Sequence, residues 1–487
     1  MSEAEVMVSL GDVANEPIEQ SGPPEKGTFV YVDIGSVDKE TKTVGDAKAI
    51  VAEDAPSRAK QRLCGSDVLV SMTRPNLNAV AMVPPQLDGA IGSTGFHVLR
   101  TRWMEPGFLY YLVQTSAFIE AMTGVVQGAL YPAVRPADIN KFQFRLPPRA
   151  EQTRIVEKLE SLLADLDAGV AELKAAQRKL ARYRQSLLKA AVEGALTVEW
   201  REANAPQETG AQLLARILRE RRARFEQKHG PKKKYKEPAA PDTAQLPALP
   251  QGWVWATVEQ LAELSSGHTP KDAGKFSNSA GSVHWFKVAD MNADGNEDSL
   301  VVAATRFTEG TANELGLKIA PTGTIVFPKR GGAIATNKKR RLGVEGAYDL
   351  NMMGLVVVPV AAEWLWSWFK GIDLAKLSDG SNVPQINNPD IAPLLVPLPP
   401  LEEQHQILTH LDTALSACKA QESAVTHALK QAAAQRRNLL RAAFAGELVP
   451  QDPADEPACV LLERIRAARA AQGAVKKPRG RKKQEAI

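Results

Sequence analysis

At 487 residues the chain is too long for one hydrophobic core, and two to four domains are expected. Its hydrophobic content of 44% and charged content of 24% are ordinary for a soluble globular protein. No apolar run approaches a membrane span and the start, MSEAEVMVSL, is acidic where a secretion signal is basic, so a cytoplasmic location is the default expectation. Net charge is only +4, yet the basic residues gather at Lys232, Lys233, Lys234 and Lys236, at Lys338 to Arg341, and in the tail KKPRGRKK from Lys476 to Lys483. Such clusters suit a polyanion, because each phosphate contact releases counterions. The cysteines Cys64, Cys418 and Cys459 are far apart and show no metal or redox spacing.

The first block, residues 1–147, opens on a short helix-like stretch from Val8 to Ala14. Strands are predicted at Phe29–Ile34, Asp67–Ser71 and Phe96–Leu99, each short, rich in β-branched or aromatic residues and bounded by Gly, Pro or Ser. Phe108–Phe118 is more helical. The block closes on GALYPAVRPADINKFQFRLPP, where Asp138 suits a turn cap and Phe142, Phe144 and Leu146 alternate as in a last strand.

Residues 148–197 form a helical region, its helix running from about Glu151 to Val192 with Gly194 as a stop signal. Apolar positions fall on a 3–4 seam: Ile155, Leu159, Leu162, Leu166, Gly169, Leu173, Ala176, Leu180, Tyr183, Leu187 and Ala190. A period near 3.5 is that of a coiled-coil stripe, which needs a partner helix. Residues 198–250 then hold a basic helix, AQLLARILRERRARFEQ, and a linker rich in proline and lysine.

A second block, residues 251–399, repeats this plan. Residues 256–263 echo the opening stretch, Val283–Met291 takes the place of the first strand and Gly323–Gly331 that of Ser66–Arg74. From Gly128 and Gly380 onward the two copies match without a gap at an offset of 252, so Pro132 answers to Pro384 and Asp138 to Asp390. The first block has no counterpart of LPQGWVW at Leu249–Trp255, as though it were abbreviated or its start codon placed late.

The matching helix lies in residues 400–449, with the seam Ile407, Leu411, Ala414, Cys418, Gln421, Val425, Ala428, Ala432, Gln435, Leu439 and Ala442. Two such helices in one polypeptide are each other's best partner. Residues 450–487 carry a last helix, CVLLERIRAARAAQ, that resembles the one at Ala211, and the basic tail. The fold class is therefore α/β: two globular domains separated by two long helices in an antiparallel intramolecular coiled coil with pseudo-two-fold symmetry.

A search for catalytic signatures finds no GxxxxGK, HExxH or GxSxG. DMNADGNED at Asp290–Asp298 starts like a calcium loop but has Val301 where the bidentate Glu must stand, and is expected to be a polar loop. NPD at Asn388–Asp390 is expected to be a turn, and the alternating Trp364, Trp366 and Trp368 to lie in the core. No metal site and no cofactor of its own are expected.

The stretch Ser66–Arg100 and the paired PPxxEQxxI…LLxAAxxGxL helices resemble the specificity (S, HsdS) subunits of type I restriction-modification systems. The resemblance covers nearly the whole chain and implies a non-catalytic reader of a bipartite site in double-stranded DNA, one half-site per domain. It implies two methyltransferase (M) subunits that bind S-adenosylmethionine and methylate adenine N6, and two restriction (R) subunits that use ATP and Mg. A methylation-only system is the alternative, with a coiled-coil scaffold that binds no DNA behind it. In the first domain, Arg74, Asn76 and Asn78 follow a strand, with side chains suited to guanine and adenine edges. The corresponding place in the second domain holds Lys329, Arg330, Asn337, Lys338, Lys339, Arg340 and Arg341, the lysines expected mainly on phosphates.

Overall fold

The computed structural model describes residues 6–126, 132–230, 233–271, 273–278 and 280–475. Lys232 and the basic tail from Lys476 lie outside these. The chain forms two compact units that do not follow sequence order: residues 1–175 with 425–487, and residues 176–424. Each unit therefore combines one globular domain with the first part of its own long helix and the last part of the other.

The long helices are Arg149–Val192 and Leu401–Phe444, 44 residues each, or about 66 Å at about 1.5 Å per residue. Both start the same way. The Gln152 side-chain amide donates to the Pro147 carbonyl and that of Gln404 to Pro399, each at 2.9 Å. Their backbone N–H groups bond to Pro148 and Pro400, also at 2.9 Å. Proline cannot extend the helix backward, and the glutamine amide satisfies a carbonyl of the proline pair, so PPxxEQ fixes where the helix begins. Both helices end at a left-handed glycine, Gly194 with φ +71° and Gly446 with φ +75°.

Within each unit the two helices run antiparallel. In the first, Ile155, Val156, Leu159 and Leu163 share a core with Leu440 and Ala443, and Arg436 pairs with Asp167 at 2.7 Å. In the second, Leu187 and Ala191 share a core with Ile407, Leu411 and Cys418. The seam residues Ile155, Leu159, Leu187, Ile407 and Leu411 are buried. Leu162, Leu166, Leu173, Leu180, Val425 and Leu439 are half-buried. Gly169, Tyr183, Gln421 and Gln435 are exposed, contrary to a seam buried throughout. Two helices cover each other along one stripe only; full burial occurs where a globular domain covers a second face, which also buries Leu163 and Ala443.

In the first domain the strands at Phe96–Leu99, Val68–Ser71 and Val80–Met82 form one sheet in that order. A second sheet orders Lys48–Val51, Thr28–Val32, Ile91–Ser93 and Ala59–Arg62. The second domain repeats the first trio as Met352–Val357, Ile325–Pro328 and Arg340–Leu342, extended at its two edges by Ala262–Ser266 and Ser299–Leu300. Its other sheet pairs Val283–Phe286 parallel with Gly346–Tyr348, as Thr28–Val32 pairs parallel with Ile91–Ser93.

The opening stretch differs from its expected form. Met7–Ser9 is a strand paired with Gln143–Arg145, and only Leu10–Val13 is helical. The second copy repeats this at Val254–Thr257 and Val258–Leu261. In both, a side chain caps the short helix, Asp12 accepting from the Ser9 N–H and Gln260 from the Thr257 N–H. Asp138 accepts from the Arg135 N–H at 2.9 Å and Asp390 from the Asn387 N–H at 2.7 Å, so NPD opens a short helix, Asn388–Ile391. The tryptophans sit on a helix, Ala362–Lys370: Trp364 and Trp368 are buried, while Trp366 is half-buried with Arg341 and Lys370 over its ring.

The basic helix runs Gly210–His229 and packs in the second unit through Leu213, Leu214 and Ile217. Its counterpart Ala458–Val475 packs in the first through Leu461, Leu462 and Ile465. Antiparallel pairing accounts for this, since each long helix ends beside the domain that precedes the other.

Candidate nucleic-acid interface

Each domain carries one loop with the same construction. It leaves the central strand of the first sheet, turns through a left-handed residue into a 3-10 helix, and leaves through a left-handed asparagine. In the first domain the turn is Arg74 (φ 49°), Pro75–Leu77 and Asn78 (φ 45°). In the second it is Gly331 (φ 74°), Gly332–Thr336 and Asn337 (φ 52°), two residues longer. The gap-free segment pins both. Arg74 N–H donates to the Pro132 carbonyl at 2.7 Å and Gly331 N–H to that of Pro384 at 2.8 Å. One step back, Val134 donates to Met72 and Ile386 to Lys329, both at 2.9 Å. Left-handed φ is costly for arginine, and those hydrogen bonds offset the cost.

The candidate residues divide into outward and inward groups. Arg74 and Asn76 are exposed. Asn78 is only 8% exposed, and its amide donates to the Val113 carbonyl at 2.8 Å. It shapes the loop and does not face outward as the sequence suggested. Asn337 is exposed, but its side-chain oxygen is also used within the loop, accepting from the Leu374 N–H at 3.0 Å and from Lys339 at 2.9 Å.

Lys339, expected on a phosphate, is 7% exposed; its ammonium donates to the Ile372 carbonyl at 2.6 Å and lies 5.7 Å from the centre of the Phe369 ring. Arg340 also turns inward, donating from Nε to the Asn296 carbonyl at 2.7 Å. Both are tied back to backbone carbonyls of the protein itself, Lys339 to Ile372 and Arg340 to Asn296, and so do not reach outward. Arg341 pairs with Glu363. Lys329, Arg330 and Lys338 remain toward the surface.

Those three cations share a property. Lys329 donates to the Ser266 hydroxyl at 3.2 Å, Arg330 to the Gln385 amide oxygen at 3.1 Å and Lys338 to the Asn292 amide oxygen. All three partners are neutral. Elsewhere arginines meet carboxylates: Arg100 with Asp67, Arg145 with Glu151, Arg154 with Asp455, Arg201 with Glu403. Arg74 likewise has no hydrogen bond or ion pair from its guanidinium to another described residue. Cations held in place but not neutralised are what an external polyanion requires. Gln385 and Thr73 were not singled out from the sequence, where Ala133 against Gln385 is one of many differences within the gap-free segment.

Burial lowers the Lys339 ammonium from 10.5 to about 8. A lysine depressed in the folded state holds fewer protons there than when unfolded, so its contribution to stability rises with pH between about 8 and 10.5 and is lost as pH falls through about 8. Lys339→Met is expected to flatten that part of the stability profile relative to the parent. Parallel urea titrations at pH 7.5 and 10 check it; an unchanged difference between the two pH values would contradict the assignment.

Among the described residues no group of three or more His, Cys, Asp or Glu is placed to hold a metal, and no helix is long and apolar enough to cross a membrane. Two domains of one plan each present a pinned loop with cations that no carboxylate neutralises. The family described as "Type I restriction modification DNA specificity domain" matches residues 1–174 and 250–431, and the chain belongs to it. It is a DNA-specificity subunit and not a catalytic one.

The EcoDI specificity subunit of Escherichia coli is 27% identical over 398 residues, 79% of this chain and 81% of that one. The EcoKI specificity subunit of strain K12 is 23% identical over 447 residues, 87% and 85%. Among solved structures, a chain from "Structural basis underlying complex assembly and conformational transition of the type I R-M system" has a TM-score of 0.68 at 23% identity, covering 91% of this chain and 99% of that one. The HsdS subunit of Thermoanaerobacter tengcongensis has a TM-score of 0.50 at 24% identity, with coverage of 92% and 98%. At these identities the structures establish the fold.

Proposed function

We propose that the chain reads an asymmetric bipartite site in duplex DNA, one half-site per domain, and holds two methyltransferase subunits over one adenine in each half. In this reading the methyltransferase subunits bind S-adenosylmethionine and methylate adenine N6. Two restriction subunits, with ATP and Mg, cleave DNA that is unmodified. The chain's own task is register: it supplies affinity through phosphate contacts, sequence through base contacts, and the distance between the two half-sites.

The observation that carries this is one pinned loop built twice with different side chains upon it. Identical loops would imply a palindrome; Arg74 and Asn76 on one, Arg330 on the other, imply unlike half-sites. Selection from a randomised duplex library by the full chain with its methyltransferase partner is expected to enrich two different short motifs at a fixed gap. A single uninterrupted motif, or no enrichment at low salt, would refute the reading.

Lys329 and Lys338 are assigned to phosphates. Lys329→Ala and Lys338→Ala are each expected to weaken binding equally on all sequences and to reduce the log–log salt slope by about 1. Equilibrium titrations at several salt concentrations on cognate and scrambled duplexes check this. A change of base preference with an unaltered slope would reassign the residue to base reading.

A further inference from the structure

The bridge that pins each loop is formed by one residue of the loop and one of the gap-free segment: Thr73 with Ala133 in the first domain, Arg330 with Gln385 in the second. The same backbone hydrogen bonds flank the bridge in both, from Val134 to Met72 and from Ile386 to Lys329, each 2.9 Å. The frame is constant. The two side chains at its centre differ completely.

We propose that this bridge pair is a specificity element: in the second domain Arg330, held by Gln385, reads a guanine in that domain's half-site. The inference rests on the DNA-reading role proposed above and adds the residues and the base. Arg330 is exposed, and one guanidinium nitrogen donates to the Gln385 side-chain oxygen at 3.1 Å. Gln385 is itself fixed, its N–H donating to Asp379 Oδ1 and its carbonyl accepting from the Asp379 N–H, both at 3.1 Å.

An amide in this place orients the guanidinium without neutralising it, whereas a carboxylate would hold it as a closed ion pair. Of the five N–H donors of an arginine most stay available, in the planar fork that matches guanine O6 and N7. The first domain cannot do this at the corresponding place. Ala133 offers a methyl, and the Thr73 hydroxyl lies 3.3 Å from the Ser71 hydroxyl. Its arginine, Arg74, stands one residue further on, at the left-handed corner. The two domains thus place an arginine at different points on one frame, which gives unlike half-sites.

The test is library selection with the full chain and its methyltransferase partner, comparing the parent with the double variant Arg330→Thr, Gln385→Ala. This pair copies the first domain's residues at matching positions, and circular dichroism and melting verify the fold. The double variant is expected to lose a guanine preference at one position of one half-site, with discrimination falling on the order of tenfold or more, while the other half-site is unchanged. Arg330→Lys is expected to lose the preference and keep the salt slope, since it retains charge but not the fork. If the parent itself enriches no motif, the DNA-reading role fails. If the parent enriches a motif and the double variant keeps every base preference, the bridge-pair inference alone fails. It fails equally if binding weakens on all sequences with a shallower salt slope, for Arg330 is then a phosphate contact.

Discussion

Glu403→Ala is expected to cost residues 176–424 about 3–5 kcal/mol of stability. The Glu403 carboxylate is 1% exposed and accepts three hydrogen bonds, from Thr197 Oγ1 at 2.8 Å, Arg201 Nε at 2.8 Å and Trp253 Nε1 at 2.7 Å. Its removal leaves the Arg201 guanidinium, 18% exposed, and a buried indole N–H without their acceptor. A buried cation that loses its partner carries the full desolvation cost, which is why truncation is worse than replacing the pair. The cluster also joins the start of the second long helix to the segment after the first, at Gly194, whose carbonyl accepts from Arg201 at 2.6 Å.

Seven of the eight tryptophans lie in residues 176–424, so urea unfolding followed by fluorescence reports on this unit. Glu403→Gln, which keeps an acceptor oxygen, is expected to lose less. A loss below about 1 kcal/mol in the alanine variant would put the cluster outside the forces that hold this unit, since even an ordinary hydrogen bond contributes about that much. Glu151, the matching residue of the first helix, accepts from Arg145 at 3.1 Å and is expected to be the less costly of the two to replace.

The helices were legible because their signal is local and repeated: a 3–4 period, a proline pair before, a glycine after, twice at one spacing. Their antiparallel pairing was legible too, since one chain supplies both seams. The strands were harder. Lys48–Val51, Ala59–Arg62, Val80–Met82 and Ile91–Ser93 are three or four residues long, and their pairing comes from distant partners that no window contains.

The candidate site was legible as a place and not as a set of side chains. Composition marked Lys338–Arg341 as one basic cluster. Backbone carbonyls of distant segments hold Lys339 and Arg340 inward, Lys338 stays toward solvent and Arg341 pairs with Glu363. Asn78 and Asn337 have the right chemistry for adenine, yet both are used to fold their loops. Gln385 escaped notice because its importance comes from a bridge to Arg330, 55 residues earlier in the chain.

The central claim is that the paired helices set the distance between two independent readers. Seven residues inserted in register into each long helix add two turns, roughly 10 Å of helix. They keep every apolar position on the seam, so the pairing survives. At about 3.4 Å per base pair, the gap between half-sites is expected to lengthen by up to about three base pairs, while both half-site motifs stay as they were. The measurement is library selection, or methylation mapping in cells carrying the cognate methyltransferase, for parent and insertion variant side by side. Unchanged half-sites at a longer gap is the result this account expects; an unchanged gap with binding retained would contradict it.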